Sequence, residues 1–76
     1  MTIYIIYKTI NLKNRKYYIG KHETTDPDDR YLGSGKVLKR AIEKYGKENF
    51  VRETIEVVND KLLLDQREIF WISQHI

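Results

Sequence analysis

The sequence predicts an α+β domain in which a small antiparallel sheet packs against helices. Three runs rich in Ile, Val, Tyr and Thr have the composition and partial alternation of strands. Two other runs repeat apolar residues at helical spacing. The order along the chain is strand, strand, loop, helix, strand, helix, which favours a hairpin and a third strand covered by helices.

The first two strands are predicted to form a hairpin at the amino terminus. Residues 2–10 alternate loosely and are rich in Ile, Tyr and Thr. The polar segment Asn11–Lys16 ("NLKNRK") has the composition of a turn, and Lys16–Gly20 is again β-prone. Two β-prone runs joined by a short polar segment indicate an antiparallel pair.

The segment Lys21–Gly35 is predicted to be a loop. It holds the only Pro of the chain, two of the four Gly and three Asp around the Pro. A short helical turn is expected within it, at Asp26–Arg30.

The first helix is predicted at Lys36–Tyr45, where apolar residues form one stripe and charged residues the other. Ser34 is a candidate N-cap, and Gly46 is a candidate terminating residue. Two interpretations of its charged stripe stay open: it contacts a phosphate backbone, or it is simply a solvated helix face. The stripe consists of Lys36, Lys39, Arg40, Glu43 and Lys44.

A third strand is predicted at Phe50–Val58 ("FVRETIEVV"), and a second helix follows it. Asn59 and Asp60 form a polar turn, and either can cap that helix. The helix is expected to run from Lys61 to about His75.

Composition restricts the class of protein. A chain of 76 residues has room for one domain, so residues 1–76 are expected to be a single minimal domain. With no Cys, disulfides and thiolate metal sites are excluded. No apolar run approaches the ~20 residues of a membrane span, and the amino terminus has no cationic leader, so a cytoplasmic location is expected. The net charge of +3 favours a polyanionic partner.

Glu68 is the carboxylate whose position most calls for an explanation. At helical spacing its neighbours include Leu64, Trp71 and Ile72, which mark a mainly apolar stripe. A carboxylate there costs free energy unless it is paired or binds a cation. The sequence leaves both open: an ion pair with Lys or Arg at the edge of the stripe, or a metal site.

Other candidates have equally ordinary explanations. The hairpin tyrosines can pack with their rings inside and their hydroxyls at the rim. Lys21 and His22 directly follow the second strand, where functional side chains often lie on a rigid support, but a solvated loop explains them too. The residues "GSGK" (33–36) could cradle a phosphate at a helix amino terminus, or simply form a turn.

The segment "IIYKTINLKNRKYYIG" resembles the opening motif of the GIY-YIG nuclease family. Tyr18-Ile19-Gly20 matches the second triplet fully, and Ile5-Ile6-Tyr7 matches the first except that Ile5 replaces its glycine. Further along, "YLGSGKVLKRAIEKYGKENF" is similar to the middle of phage-type homing endonucleases of this family. "REIFWI" is similar to its final helix, with the family glutamate at Glu68. The resemblance covers almost the whole chain.

The resemblance implies a three-stranded antiparallel sheet with flanking helices and metal-dependent cleavage of DNA. Glu68 would hold a divalent cation, Mg²⁺ or Mn²⁺. Tyr7 would act as the general base or help to position it, and Tyr18 would hydrogen-bond in the same site. Tyr4 and Tyr17 would point away from it or lie outside it.

The family places its catalytic arginine on a helix soon after the second triplet. By this resemblance, the nearest candidate for the catalytic arginine is Arg30. His22 would supply an imidazole donor, and Tyr31 is a further hydroxyl. The cations expected to contact DNA are Lys21, Lys36, Lys39 and Arg40.

Three functions stay open on the sequence: a nuclease, a nucleic-acid-binding module without catalysis, and a protein-interaction domain. Glu68 favours the nuclease, because a carboxylate near DNA phosphates repels them unless a cation intervenes. A lone site of this kind should nick one strand at a time. A double-strand break would then need a homodimer or two encounters, and a separate DNA-targeting protein is a further expected partner.

Overall fold

The computed structural model describes residues 1–74 and has the predicted α+β architecture. Its three strands are β1 (Ile3–Asn11), β2 (Tyr17–Thr24) and β3 (Phe50–Val58). They form one sheet in the order β2-β1-β3, and both pairings are antiparallel. The expected three-stranded antiparallel sheet is therefore confirmed, with the first strand of the hairpin at its centre.

The second strand is longer than the sequence predicts. Residues 21–24 stay paired with residues 3–6 of β1, so Lys21 and His22 lie within β2 and not in a loop. Their polar side chains carry no strand signal, but backbone pairing needs only a partner strand of sufficient length. Tyr7 lies directly opposite Gly20, and His22 lies opposite Ile5.

The connecting segments differ from expectation at two places. Residues 26–30 form a turn, in which the Asp29 N–H donates to the Asp26 carbonyl, and not a helical turn. The residue that precedes the first helix is Gly35, and no side chain caps it, so the expected cap at Ser34 is wrong.

Both helices lie where the sequence places them. Helix α1 spans Lys36–Tyr45 and ends at Gly46, whose φ of 92° is a conformation that glycine adopts without strain. Helix α2 spans Lys61–Gln74, and the Leu62 N–H donates to the Asp60 carboxylate, which confirms the expected cap. A 3₁₀ turn, Lys47–Asn49, joins α1 to β3. The expected end of α2 at His75 lies outside the described residues.

One face of the sheet, which we call the α2 face, carries the hydrophobic core. Ile6, Val58 and Leu64 of α2 form a buried cluster. Burying apolar side chains of this size contributes about 1.5–3 kcal/mol each. The half-buried side chains that pack against the cluster are Tyr4, Ile19, Ile55 and Trp71.

The opposite face, which we call the loop face, is covered by residues 25–35. Alternate residues of β1 (Ile5, Tyr7, Thr9 and Asn11) are buried there. The Thr9 hydroxyl donates to the Leu32 carbonyl and so fastens the loop to the middle of the sheet. Within residues 1–74, no helix is long and apolar enough to cross a membrane.

Candidate active site

Tyr7 occupies the centre of the loop face and is 6% exposed. Its phenol lies between two glycines. A Cβ atom at Gly20 would lie 2.5 Å from the phenol oxygen, and one at Gly33 would lie 3.0 Å from it. The phenol therefore fits only because both neighbours lack a side chain.

An aromatic cluster surrounds the Tyr7 ring. His22 of β2 stacks on Tyr31 of the loop, with ring centroids 3.9 Å apart and planes 7° apart. Tyr7 meets both rings edge-on, with centroids 6.5 Å from His22 and 5.9 Å from Tyr31. Edge-to-face and stacked contacts of this kind stabilise beyond their buried area, by about 0.5–1.5 kcal/mol per aromatic pair. The loop thus brings an imidazole and a second phenol to Tyr7.

Asp29 connects this cluster to the rest of the loop. Its Oδ2 accepts from the Thr24 hydroxyl at 2.6 Å and lies 2.8 Å from His22 Nε2. Its Oδ1 accepts from Arg52 at 2.8 Å. The bonds from Thr24, His22 and Arg52 hold the pKa of the Asp29 carboxyl well below its usual range. Asp29 is therefore ionised at neutral pH, and an ionised carboxylate only accepts, so Nε2 is the donor in the bond with His22.

Arg52 is the charged partner that holds the loop on the sheet. Its guanidinium donates to Asp29, to the Tyr31 carbonyl at 2.8 Å and to the Pro27 carbonyl at 2.6 Å. Its side chain is 7% exposed. No sequence motif marks Arg52. The available signal was weak: Arg52 lies two residues from Phe50 and from Thr54 on β3, so it shares their face of the sheet.

The other tyrosines divide as expected between the two faces. Tyr18 lies opposite Thr9 and is half-buried on the loop face, the face that carries Tyr7. Tyr4 packs on the α2 face, and the exposed ring of Tyr17 lies under the Lys8 ammonium. The structure thus brings Tyr7, Tyr18 and His22 together and excludes Tyr4 from the site.

Helix α2 runs along β2 on the α2 face of the sheet, and its ion pairs with β2 give the level at which Glu68 lies. Lys61 pairs with Glu23, and Asp65 pairs with Lys21, so one helical turn covers two strand residues. At rises of about 1.5 Å per helical residue and 3.3 Å per strand residue, Glu68 comes level with residues 19–20. That is the height of Gly20, the partner of Tyr7.

The charge of Glu68 acts on the Tyr7 phenol. The pKa of Tyr7 is raised to about 12, chiefly because burial disfavours the phenolate, next because of Tyr31, and further because of the Glu68 carboxylate. Arg52 opposes the shift. Tyr7 is consequently a neutral phenol near pH 7.

Glu68 is half-buried and, within residues 1–74, has no hydrogen bond or ion pair. The expected alternative, a close ion pair with Lys or Arg, is not found among the described residues, although the pKa of Lys21 is raised by its hydrogen bond to Asp65 and further by the charge of Glu68. No group of three or more His, Asp or Glu side chains that could hold a metal occurs among these residues. Mg²⁺ fits such a site all the same, since it is commonly held by one or two carboxylates, waters and substrate phosphates.

The expected cations are all exposed at the surface. Arg30 is exposed and lines a cavity of about 450 Å³ beside Tyr31 and Arg52, and within residues 1–74 its guanidinium has no hydrogen bond or ion pair. Lys21 is paired with Asp65 of α2 and is 43% exposed. The exposed cations on α1 are Lys36, Lys39 and Arg40.

A family model described as the GIY-YIG catalytic domain matches residues 1–75. "Putative endonuclease segB" of Enterobacteria phage T4 is 55% identical over 58 residues, which cover 76% of this chain and 26% of that protein. "Putative endonuclease segE" of the same phage is 53% identical over 53 residues, covering 70% and 26%. "Endonuclease segA" is 52% identical over 44 residues, covering 58% and 20%. The chain spans about a quarter of the length of these curated relatives. No solved structure matches it.

The two motif tyrosines, Tyr7 and Tyr18, lie on one face of the central hairpin, with the motif glycine Gly20 directly under the Tyr7 phenol. The family model matches nearly every residue of the chain. The chain therefore belongs to the GIY-YIG family.

Proposed function

We propose that this chain is a metal-dependent DNA endonuclease that hydrolyses one phosphodiester bond at a time at the Tyr7 site. The observation that carries the proposal is the enclosed Tyr7 phenol, whose pKa is raised by burial and in part by the charge of Glu68, a carboxylate that makes no hydrogen bond or ion pair among residues 1–74. The names of the T4 relatives, which describe them as endonucleases, support this activity. The basic net charge of +3 supports DNA as the substrate.

Tyr7 acts as a neutral phenol that positions the attacking water. Its raised pKa, about 12, disfavours the phenolate that a general base requires at neutral pH. A phenol both donates and accepts one hydrogen bond, so it can hold a water in line with the phosphorus atom. Tyr18, on the same face, offers a second hydroxyl to the same phosphate.

Glu68 would hold the divalent cation, Mg²⁺ or Mn²⁺, from its place on α2. Such a cation, when bound, stabilises negative charge on the phosphate and on the leaving oxygen. The chain contributes the rest of the site: a rigid strand for the tyrosines and a helix for the carboxylate. A carboxylate with no competing ion pair is available to a cation without first losing a partner.

Arg30 and the α1 cations would bind the DNA backbone. Arg30 is an exposed guanidinium at the edge of the loop that encloses Tyr7, where it can pair with a phosphate beside the scissile bond. Lys36, Lys39 and Arg40 would follow the backbone farther along α1. Lys21 would contact a phosphate only by exchanging its partner Asp65.

One site of this kind cuts one strand, so linear product would arise from a homodimer or from two encounters. A separate DNA-targeting protein is a further proposed partner. For supercoiled plasmid, a linearisation rate that rises with the square of enzyme concentration supports the dimer, and a first-order rate contradicts it.

The decisive experiment compares nicking of supercoiled plasmid by the parent, by Glu68→Gln and by Glu43→Gln, each with Mg²⁺ and with EDTA. Glu68→Gln keeps the size of the side chain and removes its charge. Glu43→Gln removes the same charge from the exposed face of α1 and serves as the matched control. We expect Mg²⁺-dependent nicking by the parent and the control, and loss of at least about a hundredfold in Glu68→Gln.

Circular dichroism first establishes that all three proteins are folded. A folded parent that binds DNA without nicking it under Mg²⁺ or Mn²⁺ would overturn the proposal in favour of a binding module. Equal nicking by Glu68→Gln and the parent would remove Glu68 from the metal site.

A further inference from the structure

We propose that Asp29 is a positioning residue that holds the His22 imidazole as the Nε2–H tautomer, so that Nδ1 is the proton acceptor of the site. The inference rests on the proposed cleavage reaction and assigns its proton transfer. It concerns two residues outside the family triplets, brought together by the loop that covers the Tyr7 face.

The tautomer follows from the chemistry of the contact. Asp29 Oδ2 lies 2.8 Å from His22 Nε2, and an ionised carboxylate can only accept. A neutral imidazole has one N–H, so when Nε2 donates to Asp29 the lone pair lies on Nδ1. Within residues 1–74, Nδ1 has no hydrogen-bond partner, so its lone pair is available.

The His22 ring is held by a stacking contact on its face as well as by the hydrogen bond from Nε2 at its edge. Tyr31 stacks on the imidazole at 3.9 Å, and the Tyr31 N–H donates to Asp29 at 3.2 Å. The same loop segment therefore sets both the plane of the imidazole and the position of the carboxylate. The ring is 6.5 Å from Tyr7, centroid to centroid, and His22 shares its face of the sheet.

Among the described residues, Asp29 is the one charged side chain that contacts His22 directly. Arg52 of β3 forms an ion pair with the other carboxylate oxygen of Asp29, at 2.8 Å. On the α2 side, the neighbouring charges are grouped in two ion pairs, Lys21 with Asp65 and Lys61 with Glu23. The remaining titratable side chains in contact with the ring are the phenols of Tyr7 and Tyr31.

A proton acceptor other than Tyr7 is required if Tyr7 stays a phenol. Imidazole is the side chain whose charge changes between about pH 5 and 8, which suits it to accept a proton from water near neutrality. A carboxylate behind the imidazole fixes its tautomer and stabilises the imidazolium that forms.

The attacking water transfers one proton to Nδ1, and its oxygen uses the freed electron pair to bond to phosphorus. The bond from phosphorus to the bridging oxygen breaks, and that oxygen leaves with the electron pair and takes a proton from solvent. The imidazolium then returns its proton to solvent.

The tautomer can be read directly by ¹⁵N NMR at a pH where His22 is neutral. The sequence has two His, so His22→Gln assigns the signals. We expect a pyridine-like Nδ1 and a pyrrole-like Nε2 in the parent. A pyridine-like Nε2 would overturn the inference, and this measurement needs neither DNA nor metal.

The positioning role is tested by the pH profile of single-turnover nicking. In Asp29→Asn we expect the rate near pH 7.5 to fall about tenfold or more, and the acid limb to move to lower pH, because no carboxylate then stabilises the imidazolium. In His22→Gln we expect the nicking rate to fall about a hundredfold, and the acid limb of the pH profile to be absent. The double variant should be no slower than His22→Gln, since Asp29 acts through His22.

Thr24→Val is the matched control, because it removes another hydrogen bond to Asp29 and keeps both the carboxylate and the imidazole. It should retain the parental pH profile. Equal loss in Thr24→Val and Asp29→Asn, with unchanged profiles, would show a structural role and overturn the inference. A folded parent that does not nick overturns the proposed function, whereas a nicking parent with a pyridine-like Nε2 overturns the inference alone.

Discussion

The Tyr7 phenol lies directly over Gly20, its partner across the hairpin. A Cβ atom at Gly20 would lie 2.5 Å from the phenol oxygen and 2.7 Å from Cζ. Among the described glycines, those with positive φ are Gly33 and Gly46, so Gly20 is not required by its backbone conformation. The tyrosine of the first triplet and the glycine of the second thus form one packing unit, in which the glycine makes room for the ring.

Replacing Gly20 by Ala should move or expel the Tyr7 ring. Because the collision involves a buried ring on the central strand, we expect unfolding free energy to fall by about 1–3 kcal/mol. Plasmid nicking should be lost even at temperatures where the variant is folded. Thermal unfolding and the nicking assay, carried out side by side, check both effects.

Gly35→Ala is the control, since a Cβ atom there meets nothing within 4 Å and the φ of −66° suits any residue. It should change stability by less than about 1 kcal/mol, because Ala is a poorer N-cap than Gly but loses less backbone entropy on folding. Equal destabilisation by the two substitutions would contradict the packing explanation for Gly20.

Local patterns predicted much of this fold. The bounds of α1 and β3 follow from helical spacing and from β-prone composition bounded by glycine and polar residues. The length of β2 did not follow, because Lys21 and His22 are polar and their strand conformation depends on pairing with β1.

The candidate site was predictable in part. Tyr7 and Tyr18 were identified through the motif. The bond between Asp29 and Arg52 joins residues 23 positions apart, and neither stands in a pattern that marks it. Loop residues are placed by such long-range contacts, so the stack of His22 on Tyr31 could not be read from spacing alone.

The raised pKa of Tyr7 predicts a loss of stability at alkaline pH. The folded value is about 12 and the unfolded value about 10, so the folded state keeps the proton longer. The contribution is fully present below pH 10 and is lost as pH rises from 10 to 12. The linkage relation gives about 2 kcal/mol lost by pH 12.

Denaturant unfolding of the parent and of Tyr7→Phe at pH 9, 10, 11 and 12 checks this prediction. The parent should lose about 2 kcal/mol more than the variant over that range, since Phe has no proton to lose. Parallel pH dependence of the two proteins would show that Tyr7 titrates alike in both states.

The lowered pKa of Asp29 predicts a loss of stability at acid pH. Its folded pKa is lowered, so its contribution is present above the unfolded value of 3.8 and is lost as pH falls below it. The melting temperature of the parent should fall more steeply below about pH 4 than that of Asp29→Asn. Identical slopes would mean that the bonds from Thr24, His22 and Arg52 do not favour the ionised form.

The two arginines near the loop should behave differently on substitution by Lys. Arg52 is 7% exposed and donates to Asp29 and to two carbonyls, a geometry that an ammonium cannot reproduce. Arg52→Lys should cost about 2–4 kcal/mol of unfolding free energy. Arg30 is exposed, so Arg30→Lys should stay within about 0.5 kcal/mol of the parent.

Activity separates the roles of these arginines. If Arg30 pairs with the phosphate, Arg30→Lys should slow nicking without changing stability, because Lys cannot offer the same paired donors. Normal nicking by that variant would remove Arg30 from the site. Unchanged stability in Arg52→Lys would contradict its role in fastening the loop.

The basic face of α1 should set the salt dependence of DNA binding. Each phosphate contact releases counterions and adds about 0.9 to the slope of log K against log salt. Replacing three cations of α1 by Gln should therefore lower the slope by about 2–3 and weaken binding at low salt. The substitutions are Lys36→Gln, Lys39→Gln and Arg40→Gln, measured by fluorescence anisotropy over 50–300 mM salt.

A second triple variant in the hairpin turn is the matched control, with Lys13, Arg15 and Lys16 replaced by Gln. These three side chains are also exposed, and each triple variant removes three charges from a net charge of +3. A protein attracted to DNA by net charge alone would respond equally to both. If the DNA backbone lies along α1 beside the loop that encloses Tyr7, the slope of log K against log salt should fall in the α1 variant and stay close to the parental slope in the turn variant. Equal slopes in the two triple variants would therefore exclude α1 as the DNA-binding surface.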